Sequence, residues 1–235
     1  SMWQDLLLSV VRGIGTVDHC LKKAGKESLP AVEGFITDAL FTTITNANFD
    51  DDAILRKVTD GIVLKKQLID KAKADGVSLP NWPEVTWGGD ENDYESEGKR
   101  EGILRIENAD VRSLKELTIL GLKGMAAYYE HASHLGEHSS AIIDFMSEAL
   151  YTVTDPDSSM ETLLNCVLAT GKFGVDVMAL LDKANTKVYG NPELTKVNIG
   201  VGKNPGILIS GHDLKDIEDL LKQTEGTGID VYTHG

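Results

Sequence analysis

Two segments of the sequence decide the expected fold: FITDALFTTIT at residues 35–45 and FMSEALYTVT at residues 145–154 match almost position by position. Glycines recur at similar spacing around both segments, as the pairs Gly13 and Gly124, Gly25 and Gly136, and Gly61 and Gly171. A general likeness between amphipathic helices does not easily explain coincident glycines together with this motif. The repeat therefore predicts two similar three-helix units.

Apolar residues follow helical spacing within each unit. In the first helix, Leu6, Val10, Ile14 and Val17 recur every three or four positions, and Gly25 marks the expected helix end. We predict a mainly α protein with two repeated three-helix bundles, followed by the first βαβ unit of a truncated α/β domain. The expected boundaries are 3–78 for the first bundle, 79–109 for an acidic linker or loop, 110–190 for the second bundle, and 191–235 for the start of a Rossmann-like α/β domain.

The expected linker has a composition of its own. Residues 79–102 carry prolines, glycines and many acids without an apolar period, which is typical of a loop. Trp82 and Trp87 are expected to pack this loop onto the bundles, because aromatic side chains commonly anchor long excursions of the chain.

The sequence pattern changes after residue 186. GILIS at residues 206–210 predicts a buried strand, and Asp213 is placed to cap the following helix. EGTGIDVYTHG at residues 225–235 then predicts a glycine turn and a second strand. This order predicts a βαβ unit with parallel strands. Two parallel strands cannot cover both faces of a sheet, so we expect the chain to be the front part of a longer protein.

Composition excludes several classes of protein. The 235 residues carry a formal net charge of −14, and no stretch clusters Lys and Arg, which argues against nucleic-acid binding.

No continuous apolar run approaches the roughly 18 residues of a membrane helix, so no membrane segment is expected. Cys20 and Cys166 lack CxxC spacing, which argues against a disulfide framework or a cysteine-built metal site within this chain. We predict a cytoplasmic protein.

Two histidines lie where α/β folds place ligands. His212 follows the first predicted strand and His234 ends the second, so both belong to the carboxyl edge of the sheet. Each is a candidate ligand or catalytic residue. A buried histidine bonded to the backbone is the alternative for both.

Two other motifs carry less chemistry. HASHLGEH places His131, His134 and His138 at spacings that suit zinc on an unbroken helix, but Gly136 interrupts that helix, so we favour surface histidines near a helix end. GVGKNPG at residues 200–206 precedes its strand and lacks the spacing of a nucleotide-binding loop, which excludes that function.

Longer stretches resemble a known family. VRSLKELTILGLKGMAAYYEHASHLG, GVDVMALLDKANTKVYGNPE and VNIGVGKNPGILISGHDLKDIEDLLKQTEGTGIDVYTHG are similar to the hybrid cluster proteins, also called prismane proteins or hydroxylamine reductases. The resemblance covers nearly the whole chain. It implies a double three-helix bundle joined to α/β domains, and reduction of hydroxylamine to ammonia, with nitric oxide reduction also attributed to the family.

The resemblance also implies cofactors and one site residue. Family members carry a conventional iron-sulfur cluster and a hybrid iron-sulfur-oxygen cluster, and the histidine of their GHDL motif is an iron ligand that falls on His212. Asp213 would then cap the helix. The cysteine motif of the conventional cluster and the other hybrid-cluster ligands do not occur in this sequence, and Cys20 and Cys166 are interpreted as packing residues.

These features lead to a set of functional expectations. We expect part of a hydroxylamine reductase whose partners are the remainder of its polypeptide, hydroxylamine and a redox electron donor, with no cluster bound to this chain alone. A carbon monoxide dehydrogenase relative is the alternative within redox enzymes. A non-catalytic helical interaction module, with a purely structural His212, is the alternative from another class.

Overall fold

The computed structural model describes residues 2–45, 47–211 and 213–234. It is mainly α-helical with one small parallel sheet near its C-terminal end, which confirms the predicted fold class. The helices and strands are α1 (Met2–Lys23), α2 (Ala31–Thr42), α3 (Asp51–Ala74), α4 (Pro83–Thr86), α5 (Tyr94–Arg100), α6 (Ala109–His134), α7 (Ser140–Thr154), α8 (Met160–Tyr189), β1 (Gly206–Ser210), α9 (Leu214–Thr224) and β2 (Asp230–His234).

Local signals explain where the helices begin and end. Asp50 caps α3 by accepting a 2.9 Å hydrogen bond from the amide of Ala53, and Asn108 caps α6 in the same way. Gly25 and Gly136 end α1 and α6 with φ of 70° and 85°, a conformation that favours glycine. In both turns, the amide after the glycine bonds back to a carbonyl five residues earlier, so the two units share one type of helix end.

The two three-helix units are interlocked through a shared core. Helix α1 packs against α2 and α3 of its own unit and against α7 of the other, while α6 packs against α7, α8 and α2. The first helix of each unit thus contacts the second helix of its counterpart. One continuous cluster of buried side chains runs through both units. A buried hydrogen bond of 2.6 Å from Ser147 Oγ to Asp18 Oδ2 also links α7 to α1.

The segment between the units is folded and covers α1. The sequence favoured an acidic loop here, whereas the structure contains α4, α5 and the 3₁₀ turns Glu91–Asp93 and Ile103–Arg105. Helices α4 and α5 both pack on α1. The Trp82 ring lies 5.1 Å from that of Tyr151 on α7, so this tryptophan anchors the segment to the helical body as expected. The difference arises because tertiary contacts stabilise turns too short to produce a periodic pattern.

The C-terminal βαβ unit is much less buried than the helical body. Strands β1 and β2 pair in parallel from Gly206 opposite Asp230 to Ser210 opposite His234, and α9 forms the crossover. Within α9, all of which is described, no residue is buried. A two-stranded sheet with one helix leaves most of its own surface open, as the sequence led us to expect.

Helix α8 has an exposed apolar flank. Among the described residues it alone is long and apolar enough to cross a membrane, by length and composition, and 22% of its most apolar window is buried. The sequence analysis expected no such segment, because it considered continuous apolar runs, whereas the average over a window tolerates polar residues such as Thr170. Leu164, Leu168, Val175 and Met178 are the large exposed residues of this flank.

Candidate functional site

The candidate site is the corner between β1 and α9. Strand β1 ends at Ser210, and Gly211 turns the chain with φ of 64°, a value at which glycine is favoured. His212, the predicted iron ligand, lies outside the described residues, and its role stays a prediction. The structure defines the corner through the residues on either side.

Asp213 divides its carboxylate between two partners. Its Oδ1 accepts a 2.7 Å hydrogen bond from the amide of Asp216 and caps α9, which confirms the predicted cap. Its Oδ2 lies 2.6 Å from Nδ1 of His131, near the end of α6. The residue after His212 is therefore fixed both to its own helix and to the helical body.

His234 lies beside the same corner. It ends β2 directly opposite Ser210, and its Nδ1 is 3.5 Å from Ser210 Oγ. Its side chain is exposed. The strand pairing thus places His234 at the carboxyl edge of the sheet, as the sequence predicted.

The other histidines of the predicted cluster pair with separate carboxylates. His134 Nε2 lies 3.2 Å from Glu130 Oε1 on its own helix, and His138 Nδ1 lies 2.7 Å from Glu33 Oε1 on α2. Because His131 turns to Asp213, the three rings point to three different partners. Helix α6 ends at His134, so His138 does not continue its face.

The segment that resembled a nucleotide loop is used for packing. The amide of Gly202 donates a 2.8 Å hydrogen bond to the hydroxyl of Tyr232 on β2. Asn204 Nδ2 donates to Asp230 Oδ1 at 3.1 Å. These contacts attach the segment to β2.

The sequence analysis missed a buried ionic cluster beneath α4 and α5. Arg12 Nη2 lies 2.7 Å from Glu101 Oε2, while Arg105 bonds both Glu101, at 3.2 Å, and Glu84, at 2.6 Å. Lys65 Nζ donates a 2.7 Å hydrogen bond to the backbone oxygen of Glu84. Arg12 in the middle of the apolar α1 was the available signal, because an arginine there needs a buried carboxylate.

Burial and neighbouring charges shift the pKa values within this cluster. Burial lowers the pKa of Lys65 to about 8, against the attraction of Glu84. Burial would raise the pKa of Glu84, but the hydrogen bond from Arg105 and the charge of Arg12 outweigh it, so that this pKa is lowered. The Nε of Arg12 has no hydrogen-bond partner among the described residues. The cluster therefore joins α1, α3 and the segment that contains α4 and α5 through buried charges.

The described residues do not form a complete donor set for a metal cluster. Within residues 2–45, 47–211 and 213–234, no group of three or more His, Cys, Asp or Glu side chains is arranged to hold a metal ion. Cys20 on α1 and Cys166 on α8 are free thiols, and burial raises the pKa of both, which disfavours the thiolate that binds iron.

Comparison with known proteins identifies the class. The family model described as Prismane/CO dehydrogenase matches residues 1–235. The chain therefore belongs to the Prismane/CO dehydrogenase family.

Individual relatives carry a more specific name. The chain is 56% identical to a hydroxylamine reductase of Bacteroides thetaiotaomicron over 98% of its own length and 42% of that protein. It is 52% identical to a hydroxylamine reductase of Parabacteroides distasonis, over 99% of the chain and 42% of that protein. A hydroxylamine reductase of Desulfitobacterium hafniense is 54% identical, over 99% of the chain and 43% of that protein. The chain thus spans less than half the length of these relatives.

Proposed function

We propose that a protein of the relatives' length containing this chain is a cytoplasmic hydroxylamine reductase. The observation that carries the proposal is 52–56% identity to proteins of that name over nearly all of this chain. In the proposed reaction, the N–O bond of hydroxylamine breaks as two electrons and two protons are taken up. The nitrogen leaves as ammonia and the oxygen as water. A redox partner supplies the electrons.

The proposed contribution of this chain is one ligand and a rigid support. His212 is proposed to bind iron of a hybrid iron-sulfur-oxygen cluster, for which a neutral imidazole is a suitable ligand. The cluster supplies the redox chemistry when it is bound. Its other ligands, and those of a conventional iron-sulfur cluster, are proposed to come from the remainder of the longer polypeptide, since the described residues lack a donor set.

The geometry of the corner supports this assignment. Both oxygens of Asp213 are engaged, one by His131 and one by the amide of Asp216, so this carboxylate serves as a cap and an anchor in the proposed site. Ser210 and His234 lie at the same carboxyl edge of the sheet, where open α/β folds place their ligands.

The test is an assay of the longer protein, purified without oxygen. Hydroxylamine-dependent oxidation of reduced methyl viologen, with ammonia formed in equal amount, is the expected result. His212→Ala is expected to lose this activity and most of the hybrid-cluster iron. His134→Ala, which removes an exposed ring paired within its own helix, is the matched control and is expected to retain both.

The family description also names carbon monoxide dehydrogenase, which gives the assay a second arm. Nickel in the purified protein and oxidation of carbon monoxide, without hydroxylamine reduction, would replace the proposal with that activity. Absence of both activities and of iron would favour an interaction module instead. For the chain of 235 residues alone, stoichiometric iron after anaerobic reconstitution would contradict the proposed division of ligands.

A further inference from the structure

Two side-chain pairs join the βαβ unit to the helical body. His131 on α6 meets Asp213 at the start of α9, with 2.6 Å between Nδ1 and Oδ2. Tyr189 at the end of α8 donates a 2.8 Å hydrogen bond from its hydroxyl to Glu218 Oε2 on α9. Since α9, described in full, has no buried residue, apolar packing contributes little to its placement. Polar contacts of this kind therefore matter for its orientation.

The His131 ring is held in place by the helical body. The side chain is 26% exposed, and the ring of Phe41 on α2 meets it edge to face, with 5.6 Å between the ring centres. Three elements thus converge on one imidazole: α6 carries it, α2 packs against it, and the start of α9 binds it. A ring fixed in this way can fix its partner.

We propose that His131 is a positioning residue for the strand-to-helix corner. By holding Oδ2 of Asp213 it fixes the backbone immediately after residue 212 relative to the helical body. It also leaves Oδ1 oriented to cap α9. The inference rests on the proposed role of His212 as an iron ligand, because that role gives the position of the corner its importance. His131 itself binds no iron in this proposal.

The first test uses the chain of 235 residues without metal. In His131→Ala, amide hydrogen exchange in the first turn of α9, Leu214–Ile217, is expected to accelerate about five- to tenfold, because the cap loses its support. His131→Asn places an amide donor near the position of Nδ1 and is expected to restore slow exchange. His134→Ala is the matched control on the same helix turn and is expected to leave this exchange unchanged. Unchanged exchange in His131→Ala would overturn the positioning role.

The second test uses the longer, cluster-loaded protein and its paramagnetic resonance spectrum. His131→Ala is expected to retain iron but to alter the spectrum of the hybrid cluster, and His131→Asn to restore it. A wild-type spectrum in His131→Ala would overturn the proposed effect on the cluster. Retention of the wild-type spectrum and iron in His212→Ala would instead refute the proposed ligand, so the two failures are distinguishable.

Discussion

Gly13 on α1 and Gly124 on α6 occupy corresponding positions in the two three-helix units, but their surroundings differ. A Cβ atom added to Gly13 would lie 2.2 Å from the backbone oxygen of Glu84. A Cβ atom added to Gly124 would have no described atom within 4 Å, apart from its chain neighbours and the nearby backbone of its own helix. The first glycine is covered by the segment that follows α3. The second lines an open groove of about 410 Å³ between α6 and α8.

The same contrast extends to apolar side chains. Val58, three residues before Gly61, is fully buried, whereas Leu168, three residues before Gly171, is 64% exposed. Residues in similar local sequence therefore lie in different environments, one buried and one exposed to solvent. Val58 is buried because α3 packs along α1, and the segment at residues 79–105 adds α4, α5 and the buried ionic cluster to that same helix α1. Whether a helix face is buried depends on the elements that pack against it.

The largest effect is expected at the buried ionic cluster, to which residues 79–105 contribute Glu84, Glu101 and Arg105. Glu101→Gln removes the carboxylate that pairs with buried Arg12 and is expected to lower the free energy of unfolding by about 3–5 kcal/mol. Urea unfolding followed by circular dichroism measures this loss. Glu95→Gln, which affects an exposed pair with Lys99, is the control and is expected to leave the free energy of unfolding nearly unchanged. If Glu101→Gln and Glu95→Gln changed the free energy of unfolding equally, the buried cluster would not stabilise the first unit more than an exposed ion pair does.

The corresponding glycines give the next largest difference. Gly13→Ala is expected to destabilise the protein by about 3 kcal/mol, at the upper end for overpacking, since the backbone of Glu84 cannot move away cheaply. Gly124→Ala is expected to stabilise it by up to about 1 kcal/mol, because alanine is the better helix former and meets no described atom there. Thermal unfolding of the two variants side by side provides the measurement. Similar melting temperatures would remove the contrast between the units.

Lys65 makes the first unit sensitive to alkaline pH. Burial lowers its pKa in the folded protein from 10.5 to about 8, so between these values the unfolded chain binds more protons and stability rises with pH. The difference in free energy of unfolding between wild type and Lys65→Met is expected to shift in favour of wild type by about 2 kcal/mol from pH 7 to pH 9.5.

Urea titrations at several pH values test this dependence. Lys73→Met is the control, because Lys73 is exposed on the same helix, whereas the neighbouring charge of Lys66 itself acts on Lys65. A difference between wild type and Lys65→Met that stays constant with pH would contradict the proposed effect of burial.

The smallest effect is expected on the open side of the second unit. Leu168→Gln is expected to change the free energy of unfolding by less than about 0.5 kcal/mol, as for most exposed positions. Val58→Thr keeps the side-chain shape but buries a hydroxyl, and is expected to cost about 1–3 kcal/mol. Chemical denaturation of both variants is sufficient. A large loss in Leu168→Gln would indicate that this flank is covered in solution.

Sequence patterns were informative where one segment controls its own conformation. Helical spacing, the cap at Asp213 and the glycine turns at Gly25 and Gly136 depend on residues within a few positions of one another. The family resemblance rested on long matching stretches and agreed with the family found by comparison. The predicted role of His212 is untested, since that residue lies outside the described ones.

The remaining features depend on residues far apart in the chain. Arg12 and Glu101 are separated by 89 positions, and the pairing of His131 with Asp213 joins α6 to α9. Neither contact leaves a spacing signal, because each partner alone resembles an ordinary polar residue on a helix or at its end. The helices at residues 83–86 and 94–100 were missed for a related reason, since packing on α1 stabilises them.

The sequence by itself determined the long helices of the two units, the cap at Asp213, the repeat and the βαβ order, because hydrogen bonds between near neighbours and apolar periodicity are local properties. The tertiary structure alone decided which unit is covered, which charges are buried and how the corner at residue 213 is held. Those outcomes follow from chain segments meeting in space, where burial changes the energy of charges and leaves little room for a methyl group.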